Sequence, residues 1–169
     1  MHISTDSINK FFHSPELYFG VRKAFGLFIA IAVFFGFLED YEYGVAFVSG
    51  VLCMSIVDPP SAYSLRARSN ELIVTLVLCS AGTFLVNLVG PYHQISWLVV
   101  TALVFFYTLL AFYGKAATLI GFSALLAILM NHNFVKPFDQ ALVHSTLTFL
   151  GCTSYWFFSV SISYLFRKY

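Results

Sequence analysis

The stretch LIVTLVLCSAGTFLVNLV, Leu72 to Val89, is eighteen residues long and carries no charge. Wound as a helix rising about 1.5 Å per residue it would extend about 27 Å, close to the roughly 30 Å of hydrocarbon in a bilayer. Its apolar character is continuous rather than alternating. A barrel strand is therefore a poor reading, because such strands show segments of about ten residues that alternate between lipid-facing and lumen-facing side chains. Working outward, runs of the same character recur at about 20–38, 43–57, 95–113, 115–130 and 141–166. The spacing predicts an all-α bundle of six transmembrane helices over 20–166, with 1–19 and 167–169 as cytoplasmic ends. All five prolines, Pro15, Pro59, Pro60, Pro91 and Pro137, fall in the connections, where a fixed φ and a missing N–H terminate helices. The second and fifth runs are short for a bilayer. They must borrow interfacial residues, thin the membrane or sit inside the bundle.

Composition points the same way. Of 169 residues 59% are hydrophobic and 10% charged, against about 25% charged in an ordinary soluble domain. A soluble domain of about 150 residues hides only some 70% of the surface its chain exposes, so lipid is the natural place for the remainder. The net charge of +1 offers no basic field for nucleic acid. Cys53, Cys79 and Cys152 all lie in apolar runs, which argues against a disulfide framework. The first residues lack the apolar core and small-residue cleavage site of a signal peptide.

Eight of the nine basic residues, Lys10, Arg22, Lys23, Arg66, Arg68, Lys115, Arg167 and Lys168, fall on one side of a six-span arrangement. The positive-inside rule makes that side, with both termini, cytoplasmic. Glu39, Asp40, Glu42 and Asp139 fall on the other, with Lys136. Tyr41, Tyr43, Tyr92 and Trp97 mark the outer interface, and Tyr18, Tyr63, Tyr113, Tyr164 and Tyr169 the inner one, as amphipathic rings prefer the headgroup level.

The longest connection runs from Asp58 to Glu71. Asp58 precedes two prolines, the stretch from Ser61 can lie as a short surface helix carrying Leu65 and both arginines, and Asn70 and Glu71 can open the third span. Two readings stand side by side: Arg66 and Arg68 only fix orientation, or they attract anions, since the guanidinium fork grips a carboxylate bidentately.

Val-Arg-Lys-Ala at 21–24, the acidic outer hairpin, Asp-Pro-Pro at 58–60, Leu-Arg-Ala-Arg at 65–68 and Tyr-Gly-Lys-Ala-Ala-Thr-Leu-Ile-Gly-Phe-Ser-Ala-Leu-Leu at 113–126 follow one another in a particular order. From Tyr18 to Phe166 the chain resembles the N-terminal membrane half of the fusaric acid resistance (FUSC) and aromatic acid exporter family. The resemblance implies a bacterial inner-membrane efflux permease, or channel-like path, for organic anions, with aromatic carboxylic acids as substrate class. Spans almost free of ionisable residues add the expectation of no enzymatic activity and no cofactor. Family members usually continue beyond the position of Tyr169 into a cytoplasmic region, so the expectation is an excised domain, or a half-length member that self-associates or pairs with a second membrane half. A structural or assembly module without transport of its own is the alternative.

Candidate path residues follow. Arg66, Arg68 and Lys115 lie in the family-like segments and could line one inner vestibule, where like charges raise the local anion concentration. On the last span His144, Thr148, Gly151, Tyr155 and Ser159 recur at helical steps. That face either packs against neighbouring helices or lines a solvated path, with Tyr155 stacking on a substrate ring. His144 is open to an interfacial role or to proton coupling. Ser80, Thr83 and Asn87 on the third run, and Thr101 and Thr108 on the fourth, suit interhelical hydrogen bonds. The loop histidines His93 and His132 are isolated, and no nucleophile elbow, paired-histidine metal motif or phosphate loop is present. Small residues four apart at Gly26/Ala30, Ala32/Gly36, Ala46/Gly50 and Ala117/Gly121 predict close helix crossings.

Overall fold

A computed structural model describes residues 15–37, 41–58, 64–132 and 137–166. Among them are six α-helices: α1 (Pro15–Phe37), α2 (Tyr41–Val57), α3 (Leu65–Val89), α4 (His93–Leu109), α5 (Lys115–His132) and α6 (Phe138–Phe166), with a 3₁₀ turn, Leu110–Tyr113, extending α4. The acidic residues Glu39 and Asp40, the prolines Pro59 and Pro60, the segment 133–136 and both chain ends lie outside the described residues.

The helices differ from the apolar runs at their ends, and local hydrogen bonds explain the largest shift, at the start of α3. Among the described residues, Leu65 and both arginines belong not to a separate surface helix but to α3 itself. Ser64 is its N-cap, with Oγ accepting from the Ala67 N–H at 3.2 Å and the carbonyl accepting from the Arg68 N–H at 3.0 Å. A serine oxygen that satisfies an orphan N–H starts the helix there, so Asn70 and Glu71 fall inside its second turn and Arg68 in its first. Pro15 occupies the first position of α1, where its fixed φ suits a helix start. Gly114, at φ 103°, makes the turn between α4 and α5, a backbone conformation that glycine adopts without steric penalty.

Successive helices run up and down. α6 packs most extensively on α2 and α3, α5 packs on α3 and α2, α1 leans on α2, and α4 closes the edge against α5 and α3. α2 is short because it is the inner helix. It touches α1, α3, α5 and α6, and buries Gly44, Ala46, Ser49, Gly50, Val51, Cys53, Met54, Ser55 and Val57.

The solvent preference of this bundle is inverted. Its interior holds Ser49, Asp58, Arg68, Thr75, Thr83, Asn87, Ser123, Asn131, His144, Thr148 and Ser159, while α4 exposes Leu98 to 71%, Phe105 to 67% and Phe112 to 86%. Large contiguous apolar surface is rare on a soluble monomer, whereas a bilayer solvates it. Two helical stretches, Leu65–Val89 and Gln94–Tyr113, are each long and apolar enough to cross a membrane by length and composition; Tyr41–Val57 and Lys115–Asn131 are apolar but shorter.

Close approach of α2 and α6 depends on glycine. A Cβ placed on Gly151 would collide with the Phe47 carbonyl oxygen, and one on Gly50 with the Thr148 carbonyl oxygen. Both obstacles are backbone, so the helices themselves would have to separate. Gly121 stands in the same relation to the Tyr107 carbonyl of α4. Gly36, by contrast, faces open space. Gly151→Ala is therefore expected to destabilise the bundle by about 1–3 kcal/mol, the usual range for overpacking. Gly36→Ala should leave stability unchanged or raise it by up to about 1 kcal/mol through helix propensity. Reversible unfolding in mixed micelles measures both, and equal effects would contradict the close crossing.

Candidate functional site

Asp58, one residue past the end of α2, is the natural place to start, because its carboxylate is completely enclosed. The chain positions it by continuing the helical hydrogen bonding one step, Asp58 N–H to the Met54 carbonyl at 3.0 Å. Three donors among the described residues converge on it. Arg68 Nε donates to Oδ1 at 2.9 Å, Ser159 Oγ donates to Oδ1 at 3.2 Å, and the Tyr155 hydroxyl donates to Oδ2 at 3.1 Å. Arg68 Nη1 donates in turn to Ser163 Oγ at 2.6 Å, and Ser163 Oγ to the Ser159 carbonyl at 2.7 Å. The paired side chains are 3% and 0% exposed. One centre thus joins the C-terminal parts of α2 and α6 to the first turn of α3; one carboxylate oxygen meets the guanidinium and both accept hydrogen bonds, as a buried ion requires.

A second polar layer lies about 16 Å away along α6, eleven residues at 1.5 Å each, at the His144 level. Asn131 Nδ2 donates to Ser49 Oγ at 3.0 Å and to the Ala127 carbonyl at 2.7 Å. With both amide hydrogens placed, Asn131 Oδ1 accepts, so the 3.0 Å contact with His144 Nδ1 puts a proton on that nitrogen. Thr148 Oγ1 donates to the His144 carbonyl at 3.2 Å, and the Tyr43 ring centroid lies 6.1 Å from the imidazole. Between the two layers Ser123 Oγ donates to the Cys53 carbonyl at 2.9 Å and Cys152 Sγ to the Gly50 carbonyl at 3.5 Å, while Cys79 Sγ lies 3.7 Å from Ser123 Oγ. All three cysteines are free and buried. Among the described residues no group of three or more His, Cys, Asp or Glu is arranged to hold a metal ion.

The sequence-derived candidates separate into two sets. Arg66 and Lys115 stand exposed at the same end of the bundle as Asp58, consistent with a basic rim. Arg68 does not join them: it is 2% exposed and held by Asp58 and Ser163, so it is an interior charge rather than a rim charge. His144, Thr148, Tyr155 and Ser159, together with Gly151, form one buried stripe against α2 and α3. His144 is fully buried rather than interfacial. Asp58, Ser163, Asn131 and Ser49 join the site although the spacing of polar residues does not mark them. The signal for Asp58 was an acid abutting an apolar run with an arginine ten residues on. Asn131 had none beyond its place at the end of such a run.

Beside the carboxylate centre, Gly26, Ile29, Ala30, Phe47, Val51, Ser154, Tyr155 and Phe158 line a cavity of about 70 Å³ between α1, α2 and α6. A cavity of about 150 Å³ is known to accept benzene, so this one is too small for an aromatic ring as it stands. Gly26 makes the room that exists, since a Cβ there would come within 2.8 Å of Tyr155 Cε2.

An all-α bundle that hides ions and hydroxyls and presents phenylalanine and leucine to its surroundings is an integral membrane protein. Residues 71–168 match the family model described as FUSC-like inner membrane protein yccS, and the chain belongs to that family. Membership sets it in the inner membrane and, at the coarsest level, among membrane transport proteins. No curated protein and no solved structure matches the chain.

Removing one partner of a buried, hydrogen-bonded pair strands the other charge, typically at about 3–5 kcal/mol. Arg68→Gln is expected to lower the unfolding free energy in mixed micelles by that amount, whereas Arg66→Gln, on an exposed side chain two residues away, should change it by less than about 0.5 kcal/mol. Equal stabilities for the two variants would contradict the buried pair.

Proposed function

We propose that the chain is the membrane part of an organic-anion efflux permease, with aromatic carboxylic acids as its substrate class, acting within a larger or oligomeric assembly. In this reading all six helices cross a bacterial inner membrane, both termini lie on the cytoplasmic side, and Asp58 marks the inner end of the bundle. The observation that carries it is the buried guanidinium of Arg68, held in a centre that already receives a carboxylate and bordered by an aromatic side chain, Tyr155, and a small apolar cavity. Family membership supports transport, and the charge placement supports the anion.

Each element of the path then has a physical task. The exposed Arg66 and Lys115 raise the anion concentration at the inner mouth, an effect that weakens as salt shortens the Debye length from about 10 Å at 0.1 M. Arg68 recognises the carboxylate after it has shed water. Tyr155 and the α1/α6 cavity receive the ring. The cavity volume makes this a closed conformation, so passage requires α1 to move away from Tyr155. The hydroxyls of Thr148 and the His144 layer lie further along the same stripe. The competing reading, a scaffold without transport, draws on the same stripe being consumed in helix contacts, and it entails no flux at all.

The test reconstitutes the full chain in liposomes loaded with benzoate. Orientation is verified by impermeant labelling of cysteines introduced at Lys115, expected inside, and at Pro91, expected outside. Benzoate efflux above that of empty liposomes is expected from the wild type. Arg68→Gln should reduce it at least tenfold at all salt concentrations, and Arg66→Gln should reduce it at low ionic strength only. Absence of flux from correctly oriented wild type would leave the scaffold, and undiminished flux from Arg68→Gln would remove Arg68 from the path.

A further inference from the structure

We propose that Arg68, Tyr155 and Ser159 constitute an exchangeable carboxylate-binding site whose occupant in this structure is the chain's own Asp58. The inference deepens the transport reading and rests on it for the identity of the incoming ligand, an organic acid, but the exchange itself concerns binding alone.

Donors and acceptor come from separable parts of the fold. Arg68 belongs to the first turn of α3, and Tyr155 and Ser159 to consecutive turns of α6, two helices packed extensively on each other. Asp58 is attached at the extreme end of α2, immediately before Pro59 and Pro60. The three donors therefore keep their positions through α3–α6 packing whether or not Asp58 is in place. The arrangement is selective for a carboxylate: one oxygen takes a guanidinium N–H and a hydroxyl, the other takes a phenol, and each distance lies between 2.9 and 3.2 Å. A free organic acid presents the same two oxygens.

Room for the remainder of such a ligand adjoins the site. Tyr155 contributes its hydroxyl to the carboxylate and its ring to the wall of the apolar cavity, where Gly26 leaves it space. Opposite Tyr155 stands α1, which touches α6 far less than it touches α2. Displacing α1 enlarges the cavity without disturbing the α3–α6 donors. Asp58 then acts as an internal ligand. It satisfies Arg68 while no substrate is present, so the empty site never leaves a bare guanidinium inside the bundle, and an arriving carboxylate takes over the same donors.

Chemical rescue tests this on the full chain in detergent. Asp58→Ala deletes the internal carboxylate and leaves a space of about its size. Its melting temperature should fall below that of the wild type, and acetate or benzoate should recover about 3 °C or more, since a ligand that binds only the folded state stabilises it by mass action. Chloride and acetamide at equal concentration should recover nothing. The wild type, where the acid must first displace Asp58, should respond to benzoate more weakly and only at higher concentration than Asp58→Ala; a complete lack of response would mark a fixed rather than an exchangeable carboxylate. Asp58→Ala/Arg68→Gln should not respond at all. Where Asp58→Ala does not stay folded unaided, a monodisperse elution profile in acetate but not in chloride is the equivalent positive result. Aggregation in both, a shift no larger than that with chloride, or an equal shift in the double variant would overturn the proposal. The two readings part cleanly: rescue with a wild type that passes no benzoate sustains the site and removes transport, while benzoate flux without rescue does the reverse.

Discussion

The structure depends on an ion pair out of reach of water. A lone carboxylate or guanidinium moved into a low-dielectric interior is destabilising by several kcal/mol even after relaxation, so Asp58 and Arg68 can be buried only together and only with their remaining valences met. Tyr155, Ser159 and Ser163 meet them. Because the partners come from α2, α3 and α6, this requirement fixes where three helix ends lie relative to one another. In lipid it is a stronger constraint than apolar contact, because hydrocarbon tails solvate leucine as well as another helix does.

The remaining interior follows from the same absence of a hydrophobic drive. Helices held by dispersion and hydrogen bonds must come close, and Gly50, Gly151 and Gly121 remove the side chains that would prevent it. Polar side chains then bond across the contacts: Asn131 to Ser49, Ser123 to the Cys53 carbonyl, Tyr107 to the Leu78 carbonyl at 2.8 Å, and Asn87 to Ser145 at 3.4 Å. The short α2 is accommodated because its neighbours shield it, whereas α4 and the turn after it hold Trp97, Leu98, Phe105 and Phe112 outward. Tyr41 and Tyr92 are exposed at one end of the bundle, Tyr113 and Tyr164 at the other, as rings at two headgroup levels would be.

Much of this was legible in the residues. Uncharged runs such as Leu72 to Val89 announce helices by length alone, prolines confine their ends, and the three- and four-residue recurrence from His144 to Ser159 foretells one polar face. The helix start at Ser64 was missed because an apolar-run criterion ignores capping, although a serine followed by Leu-Arg-Ala-Arg carried the signal. The pairing of Asp58 with Arg68 was not legible for a different reason. A charge count treats an arginine beside a membrane span as a topology marker, and only packing decides whether its fork turns to water or folds back on an acid ten residues earlier. Likewise, the spacing of the α6 stripe could not say whether a path or a neighbouring helix fills the space opposite; the structure places α2 and α3 there.

The contact between Asp58 and Arg68 ties the end of α2 to the start of α3 deep inside the bundle. The most direct measurement of the contact is a double-mutant cycle on Asp58→Asn, Arg68→Gln and the double variant, read by reversible unfolding in mixed micelles. If the pair organises this end of the bundle, the two substitutions are strongly non-additive, with a coupling of about 2–3 kcal/mol and a double variant less impaired than the sum of the singles. Additivity within about 0.5 kcal/mol would show that Asp58 and Arg68 act independently, and would contradict the central place given to them.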